Sequence, residues 1–175
     1  MSTALISIIC EDRAGLIAAV AGRLFDLEIN LGDTSFAVLG GGADFTLVAK
    51  LPERLTLDEL DRELRSLPEL NHAKLTVTPF GYRESLAETG QITHRVEITG
   101  DDSPGLIARL AEAFRTFDAN IVMLNSQSLA GASGAGFLLR MAIWVPEDKA
   151  AACLATVANT AGQMNLKCQW WKHTW

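Results

Sequence analysis

The segment Asp12-Arg13-Ala14-Gly15-Leu16-Ile17-Ala18 returns as Asp102-Ser103-Pro104-Gly105-Leu106-Ile107-Ala108, 90 positions further along a chain of 175 residues. Asn30 and Asn120 stand at the same offset, each just after an apolar helical pattern. Pro52 in Leu51-Pro52-Glu53 answers Pro146 in Val145-Pro146-Glu147 at an offset of 94, so the second copy holds four extra residues. Glycine-rich segments, Gly40 to Gly42 and Gly131 to Gly136, mark the loop expected to absorb them. A period this long is a duplicated domain, not a solenoid. Function is therefore to be sought in what a pair of equivalent units does that one unit does not.

Each copy opens on an alternating strand, with Ile6, Ile8 and Cys10 on one face and Val96, Ile98 and Gly100 as their equivalents. On the opposite faces Leu5, Ser7 and Ile9 are more apolar than Arg95, Glu97 and Thr99, which predicts a covered outer face in the first copy. Leu16, Ile17, Val20 and Leu24 then follow helical spacing, as do Leu106, Ile107, Leu110 and Phe114. Two strands around a glycine-rich turn come next, near 31–39 with 45–51 and 121–129 with 137–145. In the first copy Thr56 and Glu59 form a capping box ahead of Leu57, Leu60, Leu64 and Leu67; the matching helix of the second copy is expected from Glu147 to Ala161. A last strand closes each unit, 74–78 and 166–171. The order is βαββαβ, twice. This predicts an α+β chain of two tandem ferredoxin-like units, residues 1–80 and 92–175, each an antiparallel sheet with its helices on one face, joined by a polar linker at 81–91.

Composition narrows the function. The chain is 49% hydrophobic, enough for two small cores, and carries a net charge of −6, most of it in residues 1–80 with their 7 basic and 12 acidic side chains. That balance weighs against unaided binding to nucleic acid or to an anionic membrane. Cys10, Cys153 and Cys168 show neither CxxC nor metal-ligand spacing and read as thiols in a reducing compartment. With no basic region before an early apolar run and no long charge-free apolar stretch, a cytoplasmic soluble protein is expected.

The repeated loop carries the chemistry. It lies between the first strand and the first helix, where the backbone N–H groups of the first helical turn lack partners and the helix dipole favours an anion. Ser103 suits the N-cap and Pro104 the first helical position, while Gly105 removes a Cβ from the path of a ligand. A carboxylate fits such a loop. An accompanying ammonium needs an acceptor, which Asp12 or Asp102, or the side-chain carbonyl of Asn30 or Asn120, supplies. The competing reading is plain capping: Asp, Ser and Pro start helices, glycine relieves crowding, and Asn ends helices. Retention of the whole set in both copies favours the site.

Asp-x-(Pro)-Gly-Leu-Ile-Ala, the amphipathic helix after it, and Ala-Asn-Ile-Val at 119–122 resemble the ACT domain, a βαββαβ small-molecule-sensing module that binds amino acids at this loop. The resemblance covers nearly all of both halves and implies ligand-binding positions at Asp12, Arg13, Ala14, Gly15, Leu16 and Asn30, and at Asp102, Ser103, Pro104, Gly105, Leu106 and Asn120. Two such units without a catalytic domain resemble the glycine cleavage system transcriptional repressor group. This implies a non-enzymatic regulator that senses a small amino acid, glycine foremost, and acts through a partner transcription factor as a homo-oligomer. The first copy departs from the pattern, with Ala14 in place of proline and Arg13 where a cap is expected. Rival readings are an architectural pair of modules without ligand, and a regulatory subunit of an amino-acid metabolic enzyme.

Catalysis finds little in the sequence. His72, His94 and His173 show no metal-ligand spacing, so neither metal nor cofactor is expected, and 131–136 is neither a nucleophile elbow nor a phosphate loop. RNA-binding domains share the βαββαβ order but stack bases on third-strand aromatics, whereas Phe45-Thr-Leu-Val-Ala and Phe137-Leu-Leu-Arg-Met, mostly aliphatic, hold no aromatic after their first residue. Three of the four tryptophans fall at 170–175. Alternation places Trp170 with the core residues Leu166 and Cys168; Trp171 and Trp175 are expected in a contact with another chain or the sister unit.

Overall fold

The computed structural model describes residues 2–83, 85–102, 104–131 and 134–174. The chain divides into two compact units, Met1–Tyr82 and Arg83–Trp175. In the first, β1 (Ser2–Glu11), α1 (Leu16–Asp26), β2 (Asn30–Leu39), β3 (Gly42–Leu51), α2 (Leu57–Arg65) and β4 (Lys74–Pro79) follow in order. In the second, β5 (His94–Asp101), α3 (Leu106–Thr116), β6 (Asn120–Gly131), β7 (Gly134–Trp144), α4 (Ala150–Gln163) and β8 (Lys167–Lys172) repeat it. The strands pair antiparallel in the orders β2-β3-β1-β4 and β6-β7-β5-β8. This is the tandem ferredoxin-like arrangement read from the repeat.

Alternation decides each core. Ala4, Ile6, Ile8 and Cys10 of β1 pack with Leu16, Val20 and Leu24 of α1 and Leu60 and Leu64 of α2. Val96 and Ile98 pack with Leu110 and Phe114 of α3 and Leu154 and Val157 of α4. Each fully buried leucine or isoleucine contributes roughly 1.5–3 kcal/mol. On the other side of the first sheet Leu5 and Ser7 are half-buried within the unit and Ile9 is 49% exposed. On the second sheet Glu97 is held by Arg140 at 2.9 Å.

Helix ends show why the copies match. Thr56 and Glu59 form the predicted capping box of α2. At the end of α1 the Ile29 N–H donates to the Leu24 carbonyl and Glu28 N–H to that of Phe25, with Glu28 at φ 58°. Ala119, Phe114, Asp118 and Arg115 repeat this after α3, with Asp118 at φ 55°. The left-handed terminator is thus Glu28 or Asp118, two residues before the asparagine. Asn30 and Asn120 are strand residues, not caps, opposite Lys50 and Trp144.

The four extra residues also find a physical place. The first hairpin closes at Leu39↔Gly42, whereas the second pairs Leu129↔Gly136 and continues through Ala130↔Ala135 to Gly131↔Gly134. They form two added rungs of strand, correcting the expectation that a glycine-rich loop absorbs them. α4 is likewise shorter at its start than predicted, because Glu147–Lys149 forms a separate 3-10 turn.

Candidate functional site

Both repeated loops reach their helices by one backbone device. Gly15 (φ 91°, ψ −8°) and Gly105 (φ 80°, ψ 3°) are the N-caps of α1 and α3, both left-handed. Their carbonyls accept the first helical bonds, from the N–H of Ala19 at 2.9 Å and of Arg109 at 3.0 Å. An added Cβ at either glycine meets no atom within 4 Å, so conformation, not crowding, demands glycine here. This corrects the sequence reading. Pro104 precedes the N-cap instead of opening the helix, and Ser103 lies outside the described residues. Arg13 and Ala14 do not break the first loop, since its helix start matches that of the second.

At the first loop the residues converge. Asp12, Arg13, Ala14, Gly15 and Leu16 border an open concavity of ≈ 650 Å³ whose far side is formed by α1 and Phe36. The Asp12 N–H is fixed to the Gly41 carbonyl at 3.0 Å, which ties this loop to the β2–β3 turn. Leu16 is buried beneath, while Ile17 is 46% exposed. Phe36 stands edge-on against core Phe45, centroids 5.7 Å apart. Burial raises the Cys10 thiol above its ordinary range, opposed by the Arg13 charge and reinforced by that of Asp12. Phe36 and Ala21 were not singled out from sequence. The helical spacing of Ile17 and Ala21 is a visible signal for one; Phe36 reaches the loop only through the pairing Phe36↔Phe45.

The asparagines sit apart from the loops. Asn30 is exposed at the start of β2 and does not border the concavity. The Asn120 amide nitrogen donates to the Thr89 carbonyl at 2.8 Å, pinning the 3-10 turn Glu88–Gly90. In the second loop Asp102, Pro104 and Gly105 are exposed and Leu106 is buried. Among the described residues no three His, Cys, Asp or Glu side chains gather as metal ligands. No helix of the described residues is long and apolar enough to cross a membrane.

The tail overturns one expectation. Trp170 is not in the core: it is 48% exposed, about as much as Trp171 at 45%. Alternation gave its side of the sheet correctly, but the helix above it offers alanines. Trp175 lies outside the described residues.

Two βαββαβ units in one chain, each with a left-handed glycine starting its first helix, define a tandem ACT-like fold. The chain is similar to a protein of unknown function from Galdieria sulphuraria, with a TM-score of 0.78, 16% identity and 99% of each chain covered. It is also similar to a candidate glycine cleavage system transcriptional repressor, with a TM-score of 0.67 and 14% identity over 99% of this chain and 98% of that one. An ACT domain protein from Streptococcus pneumoniae matches over 45% of this chain and 89% of its own, at 23% identity and a TM-score of 0.40, too loose a likeness to define the fold. No family model matches the sequence, and no curated protein matches it.

Proposed function

We propose that this chain is a non-enzymatic regulatory protein that binds a small amino acid, glycine foremost, at its Asp-x-x-Gly loops and passes occupancy to a protein partner such as a transcription factor. The observation that carries the reading is the concavity bordered by Asp12 to Ala18 at the start of α1. A carboxylate placed there meets N–H groups without intrahelical partners and the positive end of the helix dipole. Asp12 is the acceptor for the ammonium. The matching backbone at Gly105 supports a second site of the same kind with Asp102, and the structural likeness to a candidate glycine cleavage repressor supports regulation as the use. Net charge −6 supports control through protein contact in place of nucleic acid, and the exposed Trp171 supports self-association.

Calorimetry of the full chain against each proteinogenic amino acid tests this. A small amino acid is expected to bind saturably and to be lost in Asp12→Ala. A folded protein that binds none of them would leave the two modules with an architectural use.

A further inference from the structure

A second cavity, of ≈ 460 Å³, lies within the second unit where β5 and β8 meet the start of α4. The first unit gives the equivalent positions. The ladder pairs Val96↔Trp170 and His94↔Lys172 match Ile6↔Val77 and Ala4↔Pro79, and buried Leu154 matches Leu60. In the first unit Leu57 and Val77 are both half-buried against the core. Its counterpart is Ala151, beside Ala150, so α4 leaves room in front of Trp170. The chain thus places a half-exposed tryptophan against alanines, although a leucine would have covered the ring.

The polar groups of this cavity are ordered. Thr93 Oγ1 donates to the Ile143 carbonyl at 3.2 Å and accepts from the Val145 N–H at 3.1 Å. His94 Nδ1 lies 3.1 Å from the same hydroxyl, so the threonine orients the ring. Burial first, and the Lys172 charge second, hold His94 below its ordinary range, which keeps the ring neutral. Lys172 contributes a cation and Glu147 an anion to the lining. A simple anion leaves Glu147 opposed, and a simple cation leaves Lys172 opposed. An apolar molecule carrying both charges satisfies the whole lining.

We propose that the second unit holds a site for a small zwitterion with an apolar body, an apolar or aromatic α-amino acid being its simplest form. Its body lies against Trp170, Ala150 and Ala151, its carboxylate pairs with Lys172, and its ammonium pairs with Glu147. This site is distinct from the Asp-x-x-Gly loops and does not rest on their reading.

The test is an NMR titration of the full chain with L-phenylalanine, reading the Trp170 indole and the His94 ring. Saturable shifts are expected, with 3-phenylpropionate and phenethylamine, each lacking one charge, about tenfold weaker. Ala151→Leu copies Leu57 and should abolish the shifts. Lys172→Met, at an exposed side chain, should weaken L-phenylalanine without weakening phenethylamine. Asp12→Ala should leave all of these shifts in place, which separates this site from the loops. Equal affinity for the three compounds, undiminished binding in Ala151→Leu, or no saturable shift in the wild-type chain would overturn the proposal.

Discussion

Gly15 caps the helix that contains Gly22, yet replacing each with alanine should move stability in opposite directions. At Gly15 the added Cβ meets nothing within 4 Å, so neither a clash nor a new contact enters, and only the backbone at φ 91° decides. An L-residue in the left-handed region costs about 1–2 kcal/mol, of which about 0.4–1 kcal/mol is returned by stiffening the unfolded chain. The net loss is about 1 kcal/mol. Gly22 lies inside α1, where its Cβ also finds open space, and alanine there should gain about 0.5–1 kcal/mol. Asparagine tolerates the left-handed region, so Gly15→Asn should cost roughly half of Gly15→Ala. Gly105→Ala should repeat the Gly15→Ala loss in the other unit, and the two should add. Differential scanning calorimetry reads this directly, since about 1 kcal/mol in a unit of this size lowers its midpoint by about 4–8 °C. Equal losses for Gly15→Ala and Gly22→Ala, or an asparagine as harmful as the alanine, would refute the argument that backbone hand alone selects Gly15.

Gly100→Ala should destabilise the second unit by about 1–3 kcal/mol in urea titration, because its Cβ would come within 2.4 Å of the Leu166 side chain at φ 154°. His94 is held below its ordinary value of 6.5 by burial, so its unfolded form binds the proton more readily. The stability it contributes is therefore fully present above 6.5 and lost as pH falls through the lowered folded value. His94→Gln should flatten that part of the melting profile without touching the more acidic range, where Asp118 and Glu112, held down by hydrogen bonds from Lys149 and Arg115, respond. Trp171→Ala should weaken self-association in sedimentation while leaving the melting temperature nearly unchanged. A collapse in stability would instead make the ring part of the fold.

The duplication made the element order and both cores legible, because a helical period and a strand period each repeat at a fixed offset. Two features resisted for physical reasons. Ser103 and Pro104 read as a helix start because both suit one, yet the residues common to the two loops before Leu16 and Leu106 are only Asp and Gly, and the glycine's left-handed turn governs. Trp170 shares the face of Cys168, but how deep a side chain sits depends on what the packed helix presents, and Ala151 is distant from it in sequence. The glycine-rich stretch from Gly131 to Gly136 misled differently. Two residues added to each strand keep the pleat in phase, so pairing could continue where turn composition suggested a loop.

The division into two units also sorts the chromophores. All four tryptophans, at 144, 170, 171 and 175, fall in the second unit, and the first holds Tyr82 at its boundary. Intrinsic indole emission therefore follows one half of the molecule only, whereas far-ultraviolet dichroism follows both. Two optical traces from a single cuvette, subtracted, separate the melting of the silent half from that of the luminous one.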